Sequence, residues 1–234
     1  MLHSARFVIL ISADGEWQAL LRNTLPSTLH PTPYGDYFVQ VIADFPVVFM
    51  HAGWGKVSTA GACQFAIDVF HPQLMINLGT CGGLEGLAEI GEILCVSETA
   101  FYDIFEGMAD YAQAIEFYSS KADLSWLPEE LPEHTRRARL VSADQDIQPR
   151  AYERLTQEFG AVAADWESAA FAWVAKRNDI PWLILRGVSD LVSPTKAETE
   201  GNLSLWQART DQIMEDLLNQ LPWYLIRFAE QHPS

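Results

Sequence analysis

Three short apolar runs constrain the fold of this 234-residue chain more than any other feature. They span residues 7–11, 74–78 and 182–188, and within each run almost every consecutive position is apolar. Runs of this kind are typical of strands that helices cover on both faces. Segments with helical patterning alternate with them, at 57–70, 151–158 and 167–177. This alternation predicts an α/β layered fold with helices on both faces of the sheet.

Further strands are predicted from shorter patterns. Residues 39–43 and 47–50 flank a short polar turn and predict a hairpin, and residues 93–96 and 140–142 predict two more strands. The strand at 74–78 is expected to stop at the glycine-rich segment 79–83.

The remaining segments suggest a surface excursion and a C-terminal helix. Residues 103–134 are rich in polar, aromatic and proline residues, which is typical of a long excursion over the surface. An amphipathic helix begins at 203–221, and Pro222 is expected to kink or end it. Because there is no repeat, low-complexity stretch or evident linker, we expect a single domain over residues 1–234.

Charge and cysteine content exclude several classes of partner. The formal net charge is -16, so nucleic acid and anionic membranes would be repelled at long range. Cys63, Cys81 and Cys95 have no paired spacing and are expected to be reduced thiols of a cytoplasmic protein. No apolar stretch is long enough to span a bilayer, and residues 7–11 are too short for a signal peptide. We expect no metal site, since ligand-type residues do not cluster.

Two carboxylates stand in apolar surroundings, Glu167 in the segment 164–170 and Asp190 at the end of the run 182–190. Burying a carboxylate costs several kcal/mol unless it is paired or hydrogen-bonded. A carboxyl group that has left water can remain neutral at pH 7 and act as an acid. Two structural alternatives remain open: Glu167 faces solvent on a helix, and Asp190 caps the next helix.

Glycine-rich and polar segments follow the predicted strands. In α/β sheets, ligands bind where strands end, and the candidate segments occupy such places: 12–16, 53–56, 79–83, 142–147, 166–167 and 189–190. The segment 79–83 lacks both the spacing of a dinucleotide fingerprint and the Lys-Ser/Thr of a P-loop. Its glycines would let the backbone approach a ligand closely.

Five motifs in order resemble those of the purine nucleoside phosphorylase and nucleosidase superfamily. They are Ile11-Ser12-Ala13 followed by Glu16, Gly53-Trp54-Gly55-Lys56-Val57, the segment 77–84 (NLGTCGGL), the segment 164–170 (ADWESAA) and the segment 186–190 (RGVSD). Together they extend over nearly the whole chain. The resemblance implies a three-layer α/β/α sandwich with a central mixed, twisted sheet.

Within this superfamily the chain is most similar to the methylthioadenosine/S-adenosylhomocysteine nucleosidases, which hydrolyse the N-glycosidic bond without a cofactor. Many phosphorylases have an arginine where Asn77 stands here and another in the N-terminal loop. This chain has Asp14 and Glu16 in that loop, and carboxylates there would repel phosphate. The resemblance therefore favours hydrolysis of a purine nucleoside in purine salvage. A phosphate-dependent phosphorylase and a non-catalytic binding or storage protein remain alternatives.

The resemblance also assigns roles to individual residues. Glu16 matches the general base that activates water, and Asp190 matches the acid at the purine N7. Glu167 matches the ligand of the ribose hydroxyls, with Trp166 against the sugar. Further substrate-binding positions are Thr80, Cys81, Gly82, Ile147, Asp165, Arg186 and Ser189. Trp166 could instead be a core side chain, Thr80 could support its turn, and Arg186 could be a structural partner of a carboxylate.

One position departs from the family pattern. Asp146 stands where the nucleosidases have an aromatic residue that stacks on adenine, and an acid could only accept from an exocyclic amine. Another wall for the base could come from one of five aromatic residues: Trp17, Trp54, Phe101, Tyr102 and Phe105. The family further implies a homodimer, for which the stretch 101–118 and the Trp54 loop are candidate interface surfaces.

Overall fold

The structure is a computed structural model, and it describes residues 4–198 and 202–233. Residues 1–3 and 234 of the predicted domain lie outside this part.

Ten strands form one sheet in the described part of the chain. They are β1 (Phe7–Ile11), β2 (His30–Pro31), β3 (Asp36–Ile42), β4 (Phe45–His51), β5 (Leu74–Leu84), β6 (Ile93–Phe101), β7 (Ser120–Lys121), β8 (Thr135–Ser142), β9 (Ala163–Asp165) and β10 (Trp182–Val192). The α-helices are α1 (Asp14–Thr24), α2 (Gly55–Phe70), α3 (Tyr111–Phe117), α4 (Tyr152–Gln157), α5 (Ser168–Arg177) and α6 (Leu203–Gln231).

The sheet is mixed, and part of it closes on itself. Strand β1 lies between β4 and β5 and is parallel to both, and β5 is also parallel to β10. Beyond β10 come β6, β8 and β9, and β9 pairs back to β5 in an antiparallel sense. Five strands therefore form a ring, and β1, β4, β3 and β2 extend from it as an open sheet.

Helices cover both faces of the open sheet. Alternate side chains of a strand point to opposite faces. Val8 and Leu10 of β1 pack into the apolar cluster that contains α2 and α5. Ile9 and Ile11 pack into the opposite cluster, which contains α1 and α6. The predicted three-layer α/β/α architecture with a mixed sheet is confirmed.

The predicted strands are confirmed, and most of them are longer than expected. The expectation that the strand beginning at 74 stops at 79–83 was wrong, because β5 continues to Leu84. Strand β10 likewise continues past residue 188 to Val192. The two extensions pair with each other, with Gly79 opposite Arg186 and Gly82 opposite Asp190. A strand tolerates glycine where another group must approach its backbone closely.

The predicted hairpin is also confirmed. Strands β3 and β4 pair in an antiparallel sense and are joined at Ala43 and Asp44, both of which have positive φ. Two residues with positive φ match the twist of a tight hairpin connection.

Around the helices, one prediction was wrong and two others gain detail. Residues 12–16 were expected to form a loop, but Asp14 begins α1. The excursion at 103–134 contains the short elements α3 and β7. Pro222 does not end the C-terminal helix, because α6 continues to Gln231. The loss of one backbone hydrogen bond at proline is offset there by packing of Tyr224, Leu225 and Phe228 against the sheet. No helix in the described part of the chain is long and apolar enough to cross a membrane.

Candidate active site

The predicted site residues come together at one edge of the sheet. Strands β1, β4, β5 and β10 run parallel, so the segments at their carboxyl ends meet at this edge. Glu16 follows β1, Gly55 follows β4, and Asp190 lies near the end of β10. Strand β9 ends there at Asp165, whose neighbour Ala164 pairs with Gly82.

Arg186 is the fully buried centre of the site. Its Nε donates to Asp165 Oδ2 at 2.7 Å and to Ser168 Oγ at 3.0 Å, and its Nη2 donates to Asn77 Oδ1 at 2.6 Å. Nη2 also lies 4.0 Å from Glu167 Oε2. Nη1 has no hydrogen-bond partner among the described residues. A buried guanidinium is held here by one full ion pair and keeps one donor unused.

Asp165 is saturated with protein donors. Besides Arg186, its carboxylate accepts from Ser142 Oγ at 2.5 Å, from Ser168 Oγ at 2.5 Å and from the amides of Glu167 and Ser168. Ser142 Oγ in turn accepts from the amide of Ala169 at 2.9 Å. This network fixes the turn from β9 into α5 and sets the direction of Glu167.

Glu16 lies in the first turn of α1 and is only 3% exposed. Its Oε1 accepts from Thr80 N at 2.6 Å and from Thr80 Oγ1 at 2.9 Å. Its Oε2 accepts from the amide of Ala13 at 3.2 Å. These donors compensate for the burial of a carboxylate and hold it at the end of β1.

Gly79 brings Glu16 and Arg186 to the same place. A Cβ at this position would lie 2.1 Å from Arg186 Nη1 and 2.7 Å from Glu16 Oε1. Because glycine has no side chain, the unused guanidinium donor and the carboxylate can both pack against Gly79.

Glu167 forms the opposite wall. It immediately precedes α5, and its side chain is 12% exposed, so the solvent-facing alternative is excluded. Its Oε1 accepts from the amide of Gly55 at 3.0 Å. Burial raises the pKa of Glu167 to about 8, and the charge of Asp165 adds to this, whereas Arg186 and the Gly55 amide act in the opposite direction.

Asp190 lies inside β10, so the helix-capping alternative is excluded. Ser189 Oγ lies 2.7 Å from Asp190 Oδ1 and 3.2 Å from the carbonyl oxygen of Cys81. Arg209 of α6 donates to the carbonyl oxygen of Ser189 at 2.8 Å and so holds this part of the strand. Burial raises the pKa of the Cys81 thiol, which keeps that thiol neutral beside Asp190.

Gly82, Ile147 and Trp166 complete the surroundings of Asp190 and Glu167. A Cβ on Gly82 would lie 2.8 Å from Ile147 Cδ1 and 3.6 Å from Asp190 Oδ2, so both side chains lie over this glycine. Trp166 is half-buried and belongs to none of the buried apolar clusters in the described residues. Its ring lies near Gly55, as a wall of the site rather than in the core.

Only some of the aromatic candidates can serve as a wall for a base. Trp17 is buried, where it stacks on His51, and Tyr102 is buried in a separate cluster. Phe101 is buried beneath Lys56. Trp54 is 62% exposed and Phe105 is 76% exposed, so these two rings remain available. Asp146 is exposed in the loop after β8.

Sequence reasoning missed several polar partners in the network. Asn77 was considered only as a replacement for arginine, yet it links Arg186 to the backbone of β1 through Leu10. A polar residue within an apolar strand was the signal that could have identified it. Ser142 and Ser168 had no such signal, because their role depends on contacts between distant segments. The described residues contain no group of three or more His, Cys, Asp or Glu side chains that could hold a metal ion.

Comparisons with known proteins identify the family and support the fold. The family model described as the phosphorylase superfamily matches residues 6–219. A 5′-methylthioadenosine/S-adenosylhomocysteine nucleosidase of Listeria innocua is 33% identical over 79% of this chain and 86% of its own length. The apo structure of Arabidopsis thaliana 5′-methylthioadenosine nucleosidase has a TM-score of 0.78 at 23% identity, covering 94% of this chain and 96% of that one. Futalosine hydrolase of Helicobacter pylori has a TM-score of 0.76 at 18% identity, covering 92% and 95%. The chain therefore belongs to the phosphorylase superfamily.

Proposed function

We propose that this chain hydrolyses the N-glycosidic bond of a purine nucleoside, a 5′-modified adenosine such as methylthioadenosine or S-adenosylhomocysteine. The observation that carries the proposal is the pair of groups over Gly79. A buried carboxylate, Glu16, and an unused donor, Arg186 Nη1, both lie against Gly79. A water nucleophile is activated by a base that takes its proton and is oriented by a donor that binds its lone pair. Glu16 and Arg186 Nη1 can supply these two groups.

Glu16 acts as the general base. Its carboxylate is held by three donors and can take a proton from water that Arg186 Nη1 orients. General base catalysis of this kind contributes about 10²–10⁴-fold. Thr80 supports the base by fixing Oε1 through two hydrogen bonds.

Glu167 binds the ribose hydroxyls. One of its oxygens is held by Gly55, and the other faces Arg186 at 4.0 Å. Hydroxyl donors from ribose favour the ionised carboxylate and therefore lower its pKa on binding. The resulting negative charge supports the oxocarbenium character that develops on the sugar. Trp166 gives this part of the site an apolar wall.

Asp190 serves the leaving base. Its Oδ2 and the Ile147 side chain both lie over Gly82. A purine placed there would bring N7 to the Asp190 carboxyl group, which donates a proton or a strong hydrogen bond as the bond breaks. Ser189 orients the other oxygen.

Two predicted substrate-binding residues receive different roles in this proposal. All donors that reach Asp165 belong to the protein, so we assign it the positioning of Arg186 and Glu167 rather than contact with substrate. Cys81 contributes its carbonyl oxygen to Ser189 and fills space next to the base.

The charge of the site favours water over phosphate. The carboxyl groups of Glu16, Asp165 and Glu167 surround the single guanidinium of Arg186. A phosphate dianion would meet more negative than positive charge there.

The fold does not determine the 5′ group of the substrate, because proteins named for different nucleosides, including futalosine hydrolase, share this fold.

We also propose that the protein is a cytoplasmic homodimer. Its three thiols are free and buried, which suits a reducing compartment. Trp54, Phe105, Met108 and Phe117 are exposed apolar side chains, and Phe105, Met108 and Phe117 belong to the predicted interface stretch 101–118. Such exposed apolar surface is typical of an association site. Sedimentation analysis should give twice the chain mass, and substitution of Met108 and Phe105 by polar residues should shift it toward the monomer.

The enzymatic proposal is tested with pure protein and methylthioadenosine in phosphate-free buffer. We expect release of adenine at a rate that added phosphate leaves unchanged. Release that requires phosphate and gives ribose 1-phosphate derivatives would identify a phosphorylase. Binding without release in either buffer would identify a non-catalytic nucleoside-binding protein.

A further inference from the structure

We propose that Asp144 is a positioning residue for the ribose side of the site: it fixes the start of α2, which in turn holds Glu167. This inference deepens the proposed function and rests on it. The supporting contacts form a chain from Asp144 through Lys56 and Gly55 to Glu167.

Two carboxyl groups accept hydrogen bonds from the first amides of α2. Gly55 N donates to Glu167 Oε1 at 3.0 Å, and Lys56 N donates to Asp144 Oδ1 at 2.8 Å. The residue before them, Trp54, provides no side-chain cap. The first amides of a helix have no partner within it and carry partial positive charge. Two carboxylates from distant segments therefore take the place of a capping side chain.

Asp144 is held in turn by Lys56 and Asp103. Its Oδ2 lies 3.6 Å from Lys56 Nζ, which also pairs with Asp103 Oδ2 at 2.6 Å. Asp103 Oδ2 accepts from the amide of Asp144 at 3.2 Å, and Lys56 Nζ lies 5.1 Å from the centre of the Phe101 ring. The Lys56 and Asp103 side chains are only 24% and 20% exposed, so solvent screens their pair less than an open surface pair. Asp144 is fixed by both its backbone and its carboxylate.

Asp144 also packs against Gly55. Gly55 has φ of +76°, and a Cβ there would lie 2.8 Å from Asp144 Oδ1. The carboxylate therefore lies directly against the residue whose amide holds Glu167. Removal of that carboxylate frees Lys56 N and lets the first turn of α2 shift, which loosens the Gly55–Glu167 hydrogen bond.

A double-variant cycle tests this coupling. We expect Asp144→Ala to lower kcat/KM for methylthioadenosine by about 10-fold to 100-fold, as small misplacements of catalytic groups do. In the Glu167→Gln background the same change should cost much less, because the group that it positions is already altered. Equal losses in both backgrounds would overturn the proposal, since a general structural effect is additive.

Three further variants separate charge from geometry. Asp144→Asn keeps an acceptor for Lys56 N and should recover most of the activity that Asp144→Ala loses. Lys56→Met removes the ammonium group that holds Asp144 and should lower kcat/KM in the same direction as Asp144→Ala. As a matched control, Asp216→Ala removes an exposed carboxylate whose side chain bonds Gln212 on α6, and it should leave kcat/KM unchanged.

A second measurement requires no activity. Asp165, Arg186 and Glu16 are the charged groups that face Glu167, and the Gly55 amide lowers its pKa. A carbon NMR titration of the ligand-free protein, assigned with Glu167→Gln, should show a higher pKa for Glu167 in Asp144→Ala than in the wild type. An unchanged pKa contradicts the positioning role. Failure of the wild type to release adenine would contradict the proposed function and leave this titration interpretable.

Discussion

Arg186 and Glu16 approach the same face of Gly79. A side-chain carbon at that position would lie 2.1 Å from Arg186 Nη1 and 2.7 Å from Glu16 Oε1. The two residues come from opposite ends of the chain, and the parallel pairing of β1, β5 and β10 brings them together. A fully buried guanidinium that keeps one donor unpaired is costly unless that donor has a role.

Gly79→Ala should therefore abolish hydrolysis with little effect on backbone conformation, because Gly79 does not require positive φ. The new methyl group would displace either Arg186 or Glu16, and we expect kcat/KM to fall by at least about 100-fold. Gly107→Ala is the matched control, since no atom lies within 4 Å of its added carbon. Comparable activity of the two variants would show that the space over Gly79 has no role in catalysis.

Glu16→Gln tests the general base. The amide oxygen can still accept from Thr80, so the fold and substrate affinity should be preserved. The loss of the base should lower kcat by about 10²–10⁴-fold. Calorimetric titration with substrate measures the affinity separately, and a variant that binds normally and turns over at the wild-type rate would remove Glu16 from the mechanism.

Asp190→Asn tests the acid through its dependence on the leaving group. Asparagine cannot protonate a departing purine, so kcat for a natural nucleoside should fall by about 10²–10⁴-fold. A ribosyl substrate with a nitrophenolate leaving group needs no proton, and its hydrolysis should be nearly unaffected. Equal losses for both substrates would indicate that Asp190 acts on the sugar or on the fold.

The raised pKa of Glu167 predicts a specific pH dependence of stability. Its pKa in the folded protein is about 8, against an ordinary value of 4.5, so the fold favours the protonated carboxyl. The stability contributed by this protonation is fully present below pH 4.5 and is lost as the pH rises through about 8. Glu167→Gln cannot ionise, and its free energy of unfolding should therefore increase relative to the wild type over that range.

Glu198 provides the contrast for this measurement. Hydrogen bonds from Arg209 lower its pKa, so its ionised form stabilises the fold above its unfolded pKa, and this contribution is lost as the pH falls through the folded pKa. Urea unfolding at several pH values should show Glu198→Gln losing stability relative to the wild type as the pH rises, the opposite of Glu167→Gln. The same sign for both variants would contradict the assigned environment of Glu167.

The sequence was sufficient to predict seven of the ten strands, because apolar runs identify covered strands without knowledge of their neighbours. Strands β2, β7 and β9 were missed, because each is only two or three residues long. It was insufficient for their ends. The glycines at 79–83 were interpreted as a stop, whereas they allow β5 to continue with Arg186 and Asp190 packed beside it. The start of α1 was missed because its N-cap, Ala13, provides no capping side chain.

The candidate site could be assembled from motifs, but its internal connections could not. The position of Glu167 depends on an amide of α2 that is 112 residues away in sequence. The raised pKa of Glu167 depends on burial and on Asp165, which no local pattern reports. Long-range contacts of this kind decide which predicted residues face the substrate and which support them.

The origin of the oxygen atom in the product distinguishes activation of water from activation of phosphate. Methylthioadenosine is incubated with the protein in ¹⁸O-labelled water, with phosphate present, and the released sugar is analysed by mass spectrometry. Because Glu16 and Arg186 are proposed to activate water, we expect one ¹⁸O atom at C1 of a free sugar. A sugar 1-phosphate without label at that carbon would show that phosphate, and not water, is the nucleophile.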